Sequence, residues 1–154
     1  MQHSDRPRFA ILGAGMSGIL AAIKLKQAGY GFTVFEKADK VGGTWRENTY
    51  PGIACDVPSH LYCYSFELNP EWSYTSSPGS EIQAYFEGVA RRYGIQESMR
   101  FGDPVVRCEW DAGDGGQWEV ETAAGFVERF QWVIAATGIL HHPKFPEIEG
   151  LDRF

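Results

Sequence analysis

Hydrophobic positions in the first part of the chain follow the order strand, helix, strand. An apolar run at Arg8–Leu12 ends at Gly13 and predicts a buried strand. Over residues 16–28, apolar side chains recur at helical spacing, and Gly29 follows as a helix-ending glycine. The β-branched and aromatic segment Gly31–Glu36 predicts a second strand. This order predicts the opening of a parallel α/β sheet.

The rest of the chain carries a further helix and a group of short strands. Ser80, with Gln83 three residues later, has the pattern of a capping box and predicts a helix that Gly94 ends. The segments PVVRCEWD, QWEVETA and GFVERF are separated by glycine-containing turns and predict an antiparallel meander, and WVIAATG predicts a last apolar strand. Residues 37–77 are rich in Gly, Pro, Asn and Ser, so either short helices lie there or the segment wraps around a ligand.

Length and composition limit the classes of protein to which this chain can belong. Its 154 residues fit one domain, and a hydrophobic fraction of 44% is ordinary for a folded protein. A net charge of −6 argues against a nucleic-acid surface, which needs clustered Lys and Arg. Three cysteines without a Cys-x-x-Cys spacing predict reduced thiols and no zinc site. We find no secretory leader and no apolar run of ~18 residues, so we expect a cytoplasmic protein that does not contact a membrane.

The segment GAGMSG places Gly13, Gly15 and Gly18 in the spacing G-x-G-x-x-G between the first strand and the helix. That context is the one required of a dinucleotide-binding fingerprint. Gly13 allows the tight turn, Gly15 lets the backbone approach a diphosphate, and Gly18 allows close packing of helix and strand. The amino end of the helix adds roughly half a positive charge toward the anion.

Glu36, at the end of the second strand, narrows the choice of nucleotide. Its carboxylate would accept hydrogen bonds from a ribose 2′-hydroxyl and would repel a 2′-phosphate. We therefore expect the ADP half of FAD or NAD at this site rather than NADP.

A second motif, GGTWRENTYPGIACD, occupies Gly42–Asp56. Its pattern of Gly-Gly-x-Trp, four residues, Tyr-Pro-Gly, three residues and Asp resembles the fingerprint of Baeyer–Villiger monooxygenases, which belong to the flavin-containing monooxygenase superfamily. The segments LYCYSF, at Leu61–Phe66, and WVIAATG are also similar to segments of that family, so the resemblance runs nearly end to end. It implies an α/β, Rossmann-like FAD-binding domain, in which a parallel sheet with helices carries an inserted antiparallel β-meander.

The resemblance also implies roles for individual residues. Asp56 would lie near the flavin and pair with an arginine that stabilises an anionic flavin peroxide, which makes it the expected catalytic residue. Ala54 and Cys55 would border the nicotinamide, Tyr62 would touch FAD, and Val105 would pair with adenine through its backbone. The residues expected to bind cofactor are Gly13, Gly15, Met16, Ser17, Gly18, Glu36, Lys37, Gly43, Thr44, Trp45, Ala54, Cys55, Asp56, Tyr62, Val105, Thr137 and Gly138.

Two other expectations concern residues outside this set. Adjacent His141 and His142 precede Pro143 in a loop and are expected to be exposed, because neighbouring histidines do not readily share one metal. No metal site is expected.

The function implied by the resemblance is oxygen insertion next to a ketone, which gives an ester or lactone and needs FAD, NADPH and O2. The chain holds one G-x-G-x-x-G, and Glu36 disfavours NADP there. We therefore expect residues 1–154 to be the FAD-binding domain of a longer enzyme, inactive alone, whose partner is the missing NADPH-binding and C-terminal part. Three alternatives remain: an N- or S-oxygenating flavin-containing monooxygenase, a nucleotide-binding module without catalysis, and an NAD-dependent dehydrogenase domain.

Overall fold

The computed structural model describes residues 6–113 and 115–153, and within them it contains seven strands and three α-helices. In chain order the strands are β1 (Arg8–Leu12), β2 (Gly31–Glu36), β3 (Met99–Phe101), β4 (Val105–Asp111), β5 (Gln117–Thr122), β6 (Val127–Phe130) and β7 (Trp132–Ala135). The helices are α1 (Met16–Gln27), α2 (Thr44–Glu47) and α3 (Gly79–Arg92), with short 3-10 turns at Gln96–Ser98 and Leu151–Arg153.

Two sheets form, and they confirm the predicted fold class. The first is fully parallel, in the order β3-β2-β1-β7, and the second is the antiparallel meander β4-β5-β6. The strand-helix-strand opening was predicted at the observed bounds, apart from one residue at the end of α1. Strand β3 was not predicted; its three residues pair with the end of β2 and complete the sheet on that side.

The parallel sheet is covered on both faces, and the alternation of side chains along its strands decides which residue faces which layer. Ile11 and Val34 lie in a core with buried residues of α1 and α3, such as Ile19 and Phe86. The neighbouring positions on β1 and β2 belong to a second core, beneath the meander, whose buried residues are Ala10, Phe35, Val120 and Phe130. The arrangement explains why both central strands read as nearly continuous apolar runs.

Helix α3 differs from its prediction at its amino end. The expected capping box of Ser80 and Gln83 is wrong: the helix begins at Gly79, Pro78 is its N-cap, and no side chain caps it. The start of α3 is fixed by the backbone instead, because the amide of Gly79 donates a hydrogen bond to the carbonyl of Ile53 at 3.0 Å. The predicted end is confirmed, since Gly94 follows with a φ of 60°.

Residues 37–77 contain one short helix, α2, within a series of turns. Buried side chains hold this segment against the rest of the domain. The hydroxyl of Tyr64 donates to the carbonyl of Met16 at 2.6 Å, which ties the segment to the first turn of α1. Ser59 donates to the hydroxyl of Ser77 at 2.8 Å and closes the far end of the segment.

Gly18 is the residue through which α1 packs against the loop that precedes it. A Cβ at Gly18 would lie 1.9 Å from the carbonyl oxygen of Gly13, which leaves no room for any side chain. The role predicted for this glycine, close contact between helix and strand, agrees with that geometry.

We predict that Gly18→Ala lowers the free energy of unfolding by about 1–3 kcal/mol, the usual cost of overpacking a rigid contact. Gly88→Ala is the matched control, because Gly88 is also helical but a Cβ there meets nothing within 4 Å. It should instead stabilise by about 0.5–1 kcal/mol through helix propensity. Urea unfolding of both variants measures the difference; equal effects of the two substitutions would contradict the packing role.

Candidate nucleotide-binding site

A cavity of about 510 Å³ lies at the carboxyl ends of β1, β2 and β7. Its walls come from the loop between β1 and α1, the end of β2, helix α2 and the turn that follows β7. In open parallel sheets, ligands bind at the edge where the carboxyl ends of the strands meet. The cavity therefore has the position expected of a nucleotide site.

The first glycine loop forms the floor of this cavity. Gly13 has a φ of 102°, and a Cβ there would lie 2.6 Å from the carbonyl oxygen of Ala136 at the end of β7. Gly15 is the N-cap of α1, which has no side-chain cap and no acidic residue in its first turn. The first amides of the helix, including those of Met16 and Ser17, have no acceptor within the helix. They are free to bind an anion.

The second glycine loop meets the first through backbone alone. Gly43 has a φ of 56°, and a Cβ there would lie 3.0 Å from the Cα atom of Gly15. The amide of Gly42 donates to the carbonyl of Ala14 at 3.0 Å and fixes the register of the two loops. A side chain at residue 43 would intrude on this contact, whereas a Cβ at residue 15 would lie 3.6 Å from the Cα atom of Gly43, an ordinary contact distance. The loops therefore form a narrow, side-chain-free cradle that fits the diphosphate of a dinucleotide.

Glu36 joins the end of β2 to the same cradle. Only 6% of the residue is exposed, and each of its carboxylate oxygens accepts one backbone hydrogen bond. The amide of Ala14 donates to Oε2 at 2.6 Å, and the amide of Ala38 donates to Oε1 at 2.8 Å. A carboxylate oxygen can accept more than one hydrogen bond, so both remain able to receive a ribose hydroxyl.

Trp45 and Tyr62 form an aromatic wall of the cavity. The indole Nε1 of Trp45 donates to the hydroxyl of Tyr62 at 3.0 Å, and the two rings meet edge to face at a centroid distance of 5.7 Å. Tyr62 also contacts Phe86 of α3, with centroids 6.5 Å apart. This aromatic wall therefore packs against the hydrophobic core through Phe86.

A charged cluster of Lys37, Glu47 and His141 lines the cavity at the end of α2. The Nζ atom of Lys37 lies 2.9 Å from Oε1 of Glu47 and 2.7 Å from Nε2 of His141. Nδ1 of His141 lies 3.1 Å from Oε2 of Glu47. Burial acts to raise the pKa of Glu47, but the hydrogen bond and charge of Lys37, together with the hydrogen bond of His141, outweigh burial and lower that pKa.

His141 is half-buried in this cluster, so the prediction that it is exposed is wrong, whereas His142 is exposed as predicted. Sequence reasoning missed both Glu47 and His141 as lining residues. One signal was available: His141 comes soon after the last parallel strand, and residues there share an edge with the end of β2.

Asp103 positions the part of the wall that includes Val105. Its side chain is almost wholly buried; Oδ2 accepts a hydrogen bond from Arg100 at 3.0 Å, and Oδ1 accepts one from the amide of Ala124 at 3.2 Å. The hydrogen bond with the Thr122 side chain, together with Arg100, lowers the pKa of Asp103 although burial acts to raise it. Asp103 therefore stays ionised and joins the end of β3 to the meander.

The structure separates the predicted site residues into three groups. Those that line the cavity are Gly13, Gly15, Met16, Ser17, Glu36, Lys37, Gly43, Thr44, Trp45, Tyr62, Val105, Thr137 and Gly138. Gly18 lies behind the first loop, in contact with Gly13. The remaining three residues, Ala54, Cys55 and Asp56, do not line the nucleotide cavity. Cys55 is buried in the core, and Asp56 is exposed. Ala54 lines a separate cavity of about 760 Å³.

Comparison with known proteins identifies the fold family of this site. The profile of the family described as "NAD(P)-binding Rossmann-like domain" matches residues 11–87. The chain belongs to this family. In this Rossmann-like domain the matched region includes both glycine loops, Glu36 and most of α3, which are the parts that build the cradle.

Relatives of the domain confirm its resemblance to Baeyer–Villiger monooxygenases. A Baeyer–Villiger monooxygenase of Streptomyces coelicolor is 47% identical over 154 residues, which cover 99% of this chain and 29% of that protein. A structure of cyclohexanone monooxygenase with bound ε-caprolactone matches with a TM-score of 0.88 and 36% identity, covering 97% of this chain and 30% of that one. A structure of OTEMO in complex with FAD and NADP matches with a TM-score of 0.85 and 31% identity, covering 96% and 29%. The Rossmann-like domain thus spans about 30% of the length of the curated relatives it matches.

Among residues 6–113 and 115–153, no helix has the length and apolar character needed to cross a bilayer. No group of three or more His, Cys, Asp or Glu side chains in that part of the chain is arranged to hold a metal ion.

We predict that Asp103→Asn destabilises the domain at neutral pH and that the difference from wild type shrinks in acid. A carboxyl group whose pKa is lowered by folding stabilises the fold above its unfolded pKa of about 3.9. That contribution is lost as the pH falls below about 3.9 and through the still lower folded value. Urea unfolding of both proteins between pH 7 and pH 3 measures the difference, and a pH-independent difference would contradict the assignment.

Proposed function

We propose that this chain is the FAD-binding part of an NADPH- and O2-dependent flavoprotein monooxygenase that inserts an oxygen atom next to a ketone. The observation that carries the proposal is the contact of Gly15 with Gly43 in a cavity that also holds Glu36. The Streptomyces coelicolor relative, a Baeyer–Villiger monooxygenase, and the OTEMO complex with FAD and NADP support it.

The cradle would bind the ADP half of FAD. The diphosphate would lie at the amino end of α1, where free backbone amides and the helix dipole favour an anion. Glu36 would accept hydrogen bonds from the ribose hydroxyls, and its charge would disfavour the 2′-phosphate of NADP. Val105 would pair with adenine through its backbone, and Lys37 would line the ribose end of the site.

The flavin half would extend along the second glycine loop. Thr44 and Trp45 would contact it through their backbone, Thr137 and Gly138 would approach from the end of β7, and Tyr62 would close the wall. Bound FAD would supply the redox chemistry, taking electrons from NADPH and reacting with O2. The residues of this chain orient the cofactor and exclude water from one side of it.

Asp56 would act outside the cavity. Its side chain is exposed, so it is accessible to a cation from elsewhere in the protein. We propose that it orients an arginine which lies beyond this chain and stabilises negative charge during oxygen transfer. Ala54 and Cys55 would place this segment beside the nicotinamide.

The domain organisation follows from the same proposal. Residues 1–154 would form the FAD-binding domain, and NADPH would bind to another part of the protein. That division is consistent with the domain's share of its relatives, about 30% of their length. The chain alone would bind FAD without turning over a ketone.

The direct test uses the full-length protein with cyclohexanone, NADPH and air. We expect ketone-dependent NADPH oxidation and a lactone product identified by gas chromatography with mass spectrometry. Parallel reactions with a tertiary amine and a thioether examine N- and S-oxygenation. Oxygenation of those substrates but not of any ketone would replace the proposal by its nearest alternative, and NADPH oxidation that yields hydrogen peroxide alone with every substrate would contradict both.

We predict that Gly43→Ala weakens FAD binding by at least about tenfold, which corresponds to about 1.4 kcal/mol. The new Cβ would intrude on Gly15 within the cradle. Gly125→Ala is the matched control, because its φ of 81° is also positive while a Cβ there meets nothing within 4 Å. Calorimetric titration of the FAD-free proteins measures both; equal losses would mean that backbone strain, not the cradle, causes the effect.

A further inference from the structure

Gln83 is a buried polar residue on α3 that contacts the second glycine loop at Gly42. Only 8% of it is exposed, and its neighbours on the buried face of the helix include Ile82 and Phe86. Buried polar side chains are costly unless their hydrogen bonds are satisfied. Its presence among apolar residues therefore requires an explanation from its contacts.

The amide nitrogen of Gln83 ties α3 to the residue before the glycine pair. Nε2 donates to the carbonyl of Val41 at 2.7 Å and to Oε1 of Glu87 at 2.8 Å. Glu87 in turn pairs with Lys40 at 2.9 Å, so the chain just before the loop is attached to α3 at two points. These donors, Gln83 first and Lys40 next, lower the pKa of Glu87 and keep it an acceptor.

The amide oxygen of Gln83 occupies the space that a side chain at Gly42 would need. A Cβ at Gly42, whose φ is 130°, would lie 1.8 Å from Oε1 and 2.7 Å from Nε2. Oε1 has no hydrogen-bond donor within the described ranges. An apolar side chain of similar size would fill this space without an unsatisfied acceptor, so packing alone does not account for a glutamine here.

The glycine pair is thus held between two partners. Gly43 lies against Gly15, and Gly42 lies against Gln83. Glycine has little conformational preference of its own, so a two-glycine turn needs outside contacts to stay in one conformation. Among those contacts, the bond from Gln83 to Val41 is directional and can fix the orientation of the peptide that enters the turn.

We propose that Gln83 is a positioning residue that holds the Gly42–Gly43 turn in the shape that receives the nucleotide. It does not touch the cofactor; it acts through the carbonyl of Val41 and the contact with Gly42. The inference rests on the proposed function in so far as the nucleotide is FAD. The contacts that hold the turn are present without a nucleotide and do not depend on which nucleotide binds.

The test compares Gln83→Leu with wild type in the full-length protein. In the FAD-free state, we expect backbone amides of residues 41–45 to exchange with deuterium on the order of tenfold faster in the variant. The Kd for FAD should rise by a similar factor, about 1.4 kcal/mol, because part of the binding free energy must then order the turn. The thermal midpoint of the FAD-free protein should change little, since leucine suits a buried helix face.

Val89→Ala is the control for a purely structural role, because Val89 is buried on the same helix, six residues after Gln83, and its side chain cannot hydrogen-bond to the loop. It should lower the thermal midpoint while leaving exchange at residues 41–45 and the Kd within about twofold, as expected for a cavity-forming change at a distance. A folded Gln83→Leu with wild-type exchange and wild-type Kd would overturn the proposal.

Two further results are also decisive. Gln83→Met, which is unbranched and adaptable, replaces the leucine variant if the latter does not fold. Failure of both to fold would make Gln83 a structural residue and overturn the positioning role. Absence of FAD binding by the wild type would refute the proposed function instead, and the exchange measurement would then decide the role of Gln83 alone.

Discussion

The close approach of two backbone loops at Gly15 and Gly43 is the constraint on which the rest of this structure depends. A Cβ at residue 43 would lie 3.0 Å from the Cα atom of Gly15, closer than nearly all real contacts, so the second loop approaches the first through backbone alone. Each loop is therefore held from outside. The loop after β1 is fixed by a hydrogen bond from the amide of Ala14 to the carboxylate of Glu36. The second loop is fixed by a hydrogen bond from the amide of Gly42 to the carbonyl of Ala14. Residue 14 thus joins the end of β2 to both sides of the cradle.

Buried side chains of the 37–77 segment and of α3 support the two loops of this cradle. Tyr64 reaches from the long 37–77 segment to the carbonyl of Met16, and burial, the largest influence, raises its pKa so that the hydroxyl remains a donor. Gln83 reaches from α3 to the carbonyl of Val41. In both contacts a buried side-chain donor binds a backbone carbonyl, and such a bond is directional. A layer of apolar side chains could supply the same burial but not the same orientation.

Regular elements were predictable from the chain because each has a local signature. The period of apolar residues located β1, α1 and β2, and glycine-containing turns located the meander. Features that depend on partners distant in sequence were not predictable. Strand β3 has three residues and exists through pairing with β2. Ser80 is a residue type that often caps helices, but α3 starts one residue earlier, at Gly79, whose amide donates a hydrogen bond to the carbonyl of Ile53. Glu47 and His141 are 94 positions apart and meet because α2 and the turn after β7 share one edge of the sheet.

The two ends of the Gly42–Asp56 motif lie in different environments, which fits two different roles. Its first part, through Trp45, faces the nucleotide cavity, whereas Ala54 faces a second cavity and Asp56 faces outward. Trp45 lines both cavities and so forms the boundary between them. A group that binds a cofactor must be preorganised within its own domain, but a group that works with residues from elsewhere must remain accessible to them. Under the proposed function, cofactor binding would therefore be complete within this chain. Oxygen transfer would require that another part of the protein cover Asp56.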